Sequence, residues 1–176
     1  MQIITAIVRV FQLLFAIIVL GLSVTLAKGQ SIGSAPAITG YAAFTGGLGI
    51  VASLVGGAAF FVSSLDGIIS WAIDGLASLA FLAGGIAYAV LLKDANCSDP
   101  ATTWDNEILS GGCVKVDGDK TCSFGGEDKL KSRCTSAKAD AAFMLIDFVV
   151  CAAVIGCSIF LSTRGRGGSF GKSNFV

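Results

Sequence analysis

Four long, continuous apolar stretches occupy most of this 176-residue chain, at Ile3–Ala27, Ile38–Val62, Ile68–Leu92 and Ala139–Ser162. About 18 apolar residues in a row suffice to cross the hydrocarbon core of a bilayer, so this feature names the solvent before anything else is read. A membrane β-barrel would require polar and apolar residues to alternate along each strand, and these stretches do not alternate. A helix satisfies its own backbone hydrogen bonds within lipid. The expected fold is therefore an all-α membrane protein, a four-transmembrane-helix bundle, with a polar loop at 93–138 between the third and fourth helices and a disordered tail at 164–176.

Composition agrees with that solvent. Hydrophobic residues make up 54% and charged residues 14% of the chain, against about 25% charged in a soluble domain. The formal charge of zero leaves no basic footprint for nucleic acid. The chain has no histidine, which excludes Ser-His-Asp catalysis, His-ligated haem and histidine-based metal sites. The first stretch is too long for a signal-peptide core and lacks a basic start. It reads as a retained helix that doubles as an uncleaved signal.

Small residues recur inside the stretches. Thr45, Gly49, Ser53 and Gly57 follow one another at four-residue spacing, as do Ala80 and Gly84, and Ala152 and Gly156. Such residues let helix backbones approach where lipid removes the hydrophobic drive for association. Packing within the chain is the plainer expectation and a self-association face is the alternative; the spacing does not separate them. The short polar segment Ser63-Ser64-Leu65-Asp66-Gly67 predicts a tight turn that makes the second and third helices antiparallel neighbours.

Charge counting and cysteine chemistry pull the orientation in opposite directions. The tail carries Arg164, Arg166 and Lys172 and the first connector only Lys28, which favours cytosolic termini. The loop holds more Lys and Arg than the tail, and on that count alone would face the cytosol. It also holds four of the six cysteines, Cys97, Cys113, Cys122 and Cys134. An even set reads as two disulfides, which persist on the oxidising side, so the loop is expected outside and both termini inside. Four cysteines allow three pairings. Zinc is disfavoured because its ligands usually come in close pairs, and a thiol oxidase would need a CxxC-type reactive pair that is absent. Cys151 and Cys157 are expected to be small apolar packing residues, with S-palmitoylation of Cys157 the alternative. Asn96-Cys97-Ser98 is a formal glycosylation sequon, expected to stay unmodified because it lies close to the third helix and contains a disulfide candidate.

Three ionisable residues lie well inside the stretches: Arg9, Asp74 and Asp147. Charges at such depth are expensive and normally face a partner. The first and third helices run the same way, and Arg9 and Asp74 enter them to similar depth. An intramembrane ion pair between them is the economical arrangement; the competing reading has Arg9 snorkelling to the headgroups. A proton or ion path lacks a histidine, a glutamate or a second acid at matching depth.

Along most of the chain the residues resemble the fungal non-classical export protein family, tetraspan proteins with a MARVEL-type domain. Arg9-Val10-Phe11-Gln12-Leu13-Leu14-Phe15 with Val19-Leu20-Gly21-Leu22-Ser23 is similar to that family's first helix. Asp74 with Leu76, Phe81 and Ala83-Gly84-Gly85 is similar to its third. Cys97, and Arg133-Cys134 with Ala137, Ala139 and Ala142-Phe143, resemble its loop ends. The resemblance implies a non-enzymatic, cofactor-free organiser of plasma-membrane microdomains. It further implies a link to furrow-like eisosomes, to sphingolipid response and to unconventional export. Its implied partners are membrane lipids (sterol or sphingolipid), microdomain proteins and further copies of the chain. If Cys97 and Cys134 are the family's shared pair, Cys113 and Cys122 are left to pair with each other, in a loop longer than the family's simplest members carry. A small transporter or channel subunit is the alternative function.

Overall fold

In the computed structural model, which describes residues 2–59, 68–116, 118–123 and 125–167, the apolar stretches are helices α1 (Gln2–Lys28), α2 (Ala37–Ala58), α3 (Ile68–Leu91) and α6 (Glu127–Gly167). Between α3 and α6 lie two one-turn helices, α4 (Pro100–Thr103) and α5 (Glu107–Ser110), and an antiparallel hairpin of β1 (Cys113–Val116) and β2 (Asp119–Cys122). Each of the four long helices has the length and apolarity to cross a membrane. The chain is a multi-pass membrane protein. The expected end of the second span at residues 60–62 and the turn at 63–67 lie outside the described residues.

Helix α6 corrects two expected boundaries. It starts at Glu127 rather than near Ala139. Glu127 and Asp128 occupy its first turn, where the positive end of the helix dipole favours acids. Contacts from Arg133, Cys134 and Lys138 then hold the polar turns against the bundle. At the other end α6 continues to Gly167, so Arg164–Gly167, expected as disordered tail, are helical. Residues 168–176 lie outside the described residues.

Contacting residues fix the direction of every helix pair. Leu20, Ala16 and Arg9 of α1 meet Gly46, Gly49 and Gly56 of α2, so the two run antiparallel. Gly84 and Gly85 of α3 meet Met144 and Leu145 of α6, and Ser23 and Gln12 of α1 meet Asp140 and Cys151 of α6. The result is an up-down-up-down ring in which α1 and α3 stand diagonally opposite. Ala16, Val19, Ala42, Phe81, Tyr88 and Met144 fill its interior. Leu14, Ile17, Phe44, Leu54, Leu79, Ile86 and Val149 face outward and exposed, which suits acyl chains rather than water. Because lipid is as apolar as these side chains, close packing rather than apolar burial holds the helices together.

Candidate functional site

The centre of the bundle is a polar cross-brace. Arg9 and Asp74 come from diagonally opposed helices and form a two-pronged pair, Nη1 to Oδ1 and Nη2 to Oδ2, each at 2.6 Å. Both residues are buried, and a fork-to-fork geometry of this kind is the strongest form of a charged hydrogen bond. Arg9 Nη1 also donates to Gln12 Oε1 at 2.8 Å. Gln12 Nε2 reaches Asp74 Oδ1 at 3.3 Å and the Cys151 thiol at 3.2 Å. The brace thus joins α1, α3 and α6, while Gly56 of α2 lies directly against the Arg9 guanidinium. Arg9 faces the interior here and does not snorkel.

Two further acids on α6 point inward. Asp140 and Asp147 are fully buried, and a separation of seven residues places them on one helix face. Ser23 Oγ donates to Asp140 Oδ2 at 2.7 Å, and Asp140 Oδ1 has no partner among the described residues. Both Asp147 oxygens lack one among the described residues. Among the described residues, no group of three or more His, Cys, Asp or Glu is placed to hold a metal ion.

The small-residue positions divide. Thr45, Gly49 and Ser53 are buried on the inward face of α2. Gly49 sits between Phe81 of α3 and Ala16 of α1, and Gly84 sits against Met144 and Tyr41. Gly57 and Gly156 have open space where a side chain would project, which corrects the expectation that they pack helices together within the chain. A stride of four residues advances about 40° beyond a full turn, so three strides drift about 120° around the helix. The seam therefore passes through Gly56 rather than Gly57.

At the loop end, Cys97 bonds to Cys134 and Cys113 to Cys122. The first ties the segment after α3 to α6, and the second joins facing residues of the hairpin. Arg133 gathers this end of the molecule. Its Nε donates to the Ile108 and Leu109 carbonyls, and its Nη2 to Ile108 O, Leu26 O and Gln30 Oε1, at 2.7–3.2 Å. The α1–α2 connector docks on the end of α5 through Ser31 and Ile32 amides, which donate to Gly111 O at 2.7 and 3.2 Å. Gly111 is left-handed at φ 89°, a conformation that costs glycine least. Asn96 is exposed, its side-chain oxygen accepting from the Ser98 amide at 3.1 Å. Cys151 is buried and Cys157 exposed.

Sequence reasoning singled out Arg9, Asp74 and Asp147 but missed Gln12, Asp140 and the role of Arg133. The first two carried a usable signal. Gln12 is polar within an apolar stretch and lies three residues after Arg9, on the same helix face. Asp140 lies seven residues before Asp147. Arg133 gave none, because its acceptors are backbone carbonyls that only the fold assembles.

A ring of four membrane-crossing helices, braced by an internal ion pair and closed by a disulfide-bearing loop, defines a tetraspan membrane-domain protein. The MARVEL membrane-associating domain matches residues 2–157, and the chain belongs to that family. No curated protein and no solved structure matches it.

Proposed function

We propose that this protein is a non-enzymatic organiser of plasma-membrane microdomains, with cytosolic termini and an extracellular 93–138 loop. One observation carries the reading: the strongest charged contact is turned inward, between Arg9 and Asp74, while all four long helices present apolar side chains outward. Such a molecule acts by packing and by contact with lipids or neighbouring proteins. Its membership of a membrane-associating family supports the same role. The resemblance to the non-classical export proteins extends it to eisosome assembly, sphingolipid response and unconventional export, with sterol or sphingolipid, microdomain proteins and further copies of the chain as partners. Imaging a tagged copy in its native cell tests the proposal. Patches that coincide with furrow-marking proteins are expected; a uniform membrane signal overturns it.

A small transporter or channel subunit is the second reading, favoured by the buried carboxylate of Asp147, which has no partner among the described residues. Proteoliposomes decide it: proton or cation flux that disappears in Asp147→Asn would replace the organiser role.

A further inference from the structure

A cleft of about 250 Å³ lies between the loop-side ends of α1 and α6, beside α5. Its floor is apolar, made by Leu26, Leu109 and Leu130, all buried. Its rim carries two cations, Lys129 and Arg133, and no carboxylate. Arg133 is bound by carbonyls and an amide oxygen, all neutral acceptors, so its charge is not cancelled. Lys129 has no ion-pair partner among the described residues. Ser31, Ser132 and Ser136 add hydroxyls. The lining therefore offers donors and positive charge to a ligand rich in acceptor oxygens.

Position narrows the ligand. Thr25 and Leu26 are at the end of α1, and Lys129–Ser136 precede the apolar part of α6. The cleft is thus at headgroup height. Because α1 and α6 are neighbours in the ring, a seam continues from it into the membrane. Half-buried Phe15 and Phe143 meet along that seam with ring centroids 5.8 Å apart. We propose that the cleft binds the phosphate ester headgroup of a net-anionic phospholipid, with one acyl chain lying along the Phe15–Phe143 seam. The proposal rests on the lipid-contact reading above and gives it a site.

Native mass spectrometry of the full chain released from detergent tests it, with phosphatidylglycerol, phosphatidylcholine and soluble glycerol phosphate as probes. The wild type is expected to retain one phosphatidylglycerol in preference to phosphatidylcholine. Lys129→Gln, at an exposed site, should weaken that retention about fivefold, the effect of one lysine near an anionic surface. Ser136→Phe, which fills the cleft, should abolish it while lipid-free melting stays unchanged. Equal retention by wild type and Lys129→Gln, or no preference between the two lipids, overturns the site. Competition by glycerol phosphate at the lipid's own concentration overturns the lipid assignment in favour of a soluble phosphate ester. Patch formation in cells is a separate readout, so the cleft can fail while the organiser role stands.

Discussion

Gly56 of α2 lies so close to the Arg9 guanidinium of α1 that a methyl group at residue 56 would overlap it. Gln12 of α1 and Asp74 of α3 hold the charge by hydrogen bonds, Cys151 of α6 meets it only through Gln12, and α2 makes room for it by having no side chain. Gly56→Ala must displace a guanidinium already fixed at both prongs by Asp74. Overpacking of this kind costs about 1–3 kcal/mol. Gly57→Ala meets open space and should be neutral or slightly stabilising, since alanine is the better helix former. Thermal melting of both variants in detergent separates the two, and equal effects would place the seam elsewhere.

Arg9 and Asp74 are expected to depend on each other. Removing one partner of a buried pair typically costs about 3–5 kcal/mol. Snorkelling by Arg9 or protonation of Asp74 lowers that figure here. Arg9→Leu and Asp74→Leu should each lower yield and melting temperature. The double variant should recover part of the loss, because no orphan charge remains. Strictly additive effects across the cycle would show the residues to be uncoupled.

The fold was legible because lipid imposes one simple rule, and Ile3–Ala27 or Ile68–Leu92 satisfies it without ambiguity. The start of α6 was not, because half of the residues from Glu127 to Lys138 are charged, and its inward face is marked only by Leu130, Cys134 and Ala137 at helical spacing, too sparse to read as a membrane span. These turns are held by Arg133, by Cys134 and by the Lys138 Nζ bond to Ala95 O at 2.7 Å, none of which hydropathy reads. The brace was half legible. A lone Arg9 and a lone Asp74 at matching depth stand out against an apolar background. Gln12 and Cys151, which link them to α6, need the register of α1 against α6 before they mean anything. Gly57 was misplaced by one position because a sequence stride of four ignores the helical drift.

Arg133 should not tolerate lysine. A single ammonium on a flexible stem cannot reproduce a planar fork that serves Leu26, Ile108, Leu109 and Gln30 together. Buried acceptors that lose a partner each cost about 1–3 kcal/mol. Arg133→Lys should therefore lower stability by at least about 2 kcal/mol and increase proteolysis near Gln30 and Ser110. Unchanged melting and an unchanged digestion pattern would count against its joining role.

The two disulfides should differ in weight. Cys97–Cys134 spans 37 residues and Cys113–Cys122 spans 9. Loop-closure entropy gives roughly 4 kcal/mol for the first and about 2.5 for the second. Replacing Cys97 and Cys134 together by serine should lower melting more than replacing Cys113 and Cys122. The reverse order would show that the hairpin, not the α3–α6 tie, limits stability.

Side of the membrane is open to direct measurement. With termini in the cytosol, Cys113 should react with an impermeant thiol reagent on intact cells once reduced. Labelling that requires permeabilised cells would invert the orientation.

The uninterrupted run of α6 from Glu127 gives the protein a mechanical property. About 18 Å of that helix precedes its apolar part, at 1.5 Å per residue, so the loop rides on a beam instead of a tether. The Cys97–Cys134 bond pins the beam to the segment after α3, leaving little freedom to swivel. Torque applied to the hairpin by anything that grips it is delivered to the bundle, and a tilt of the bundle in a curved membrane is displayed by the hairpin.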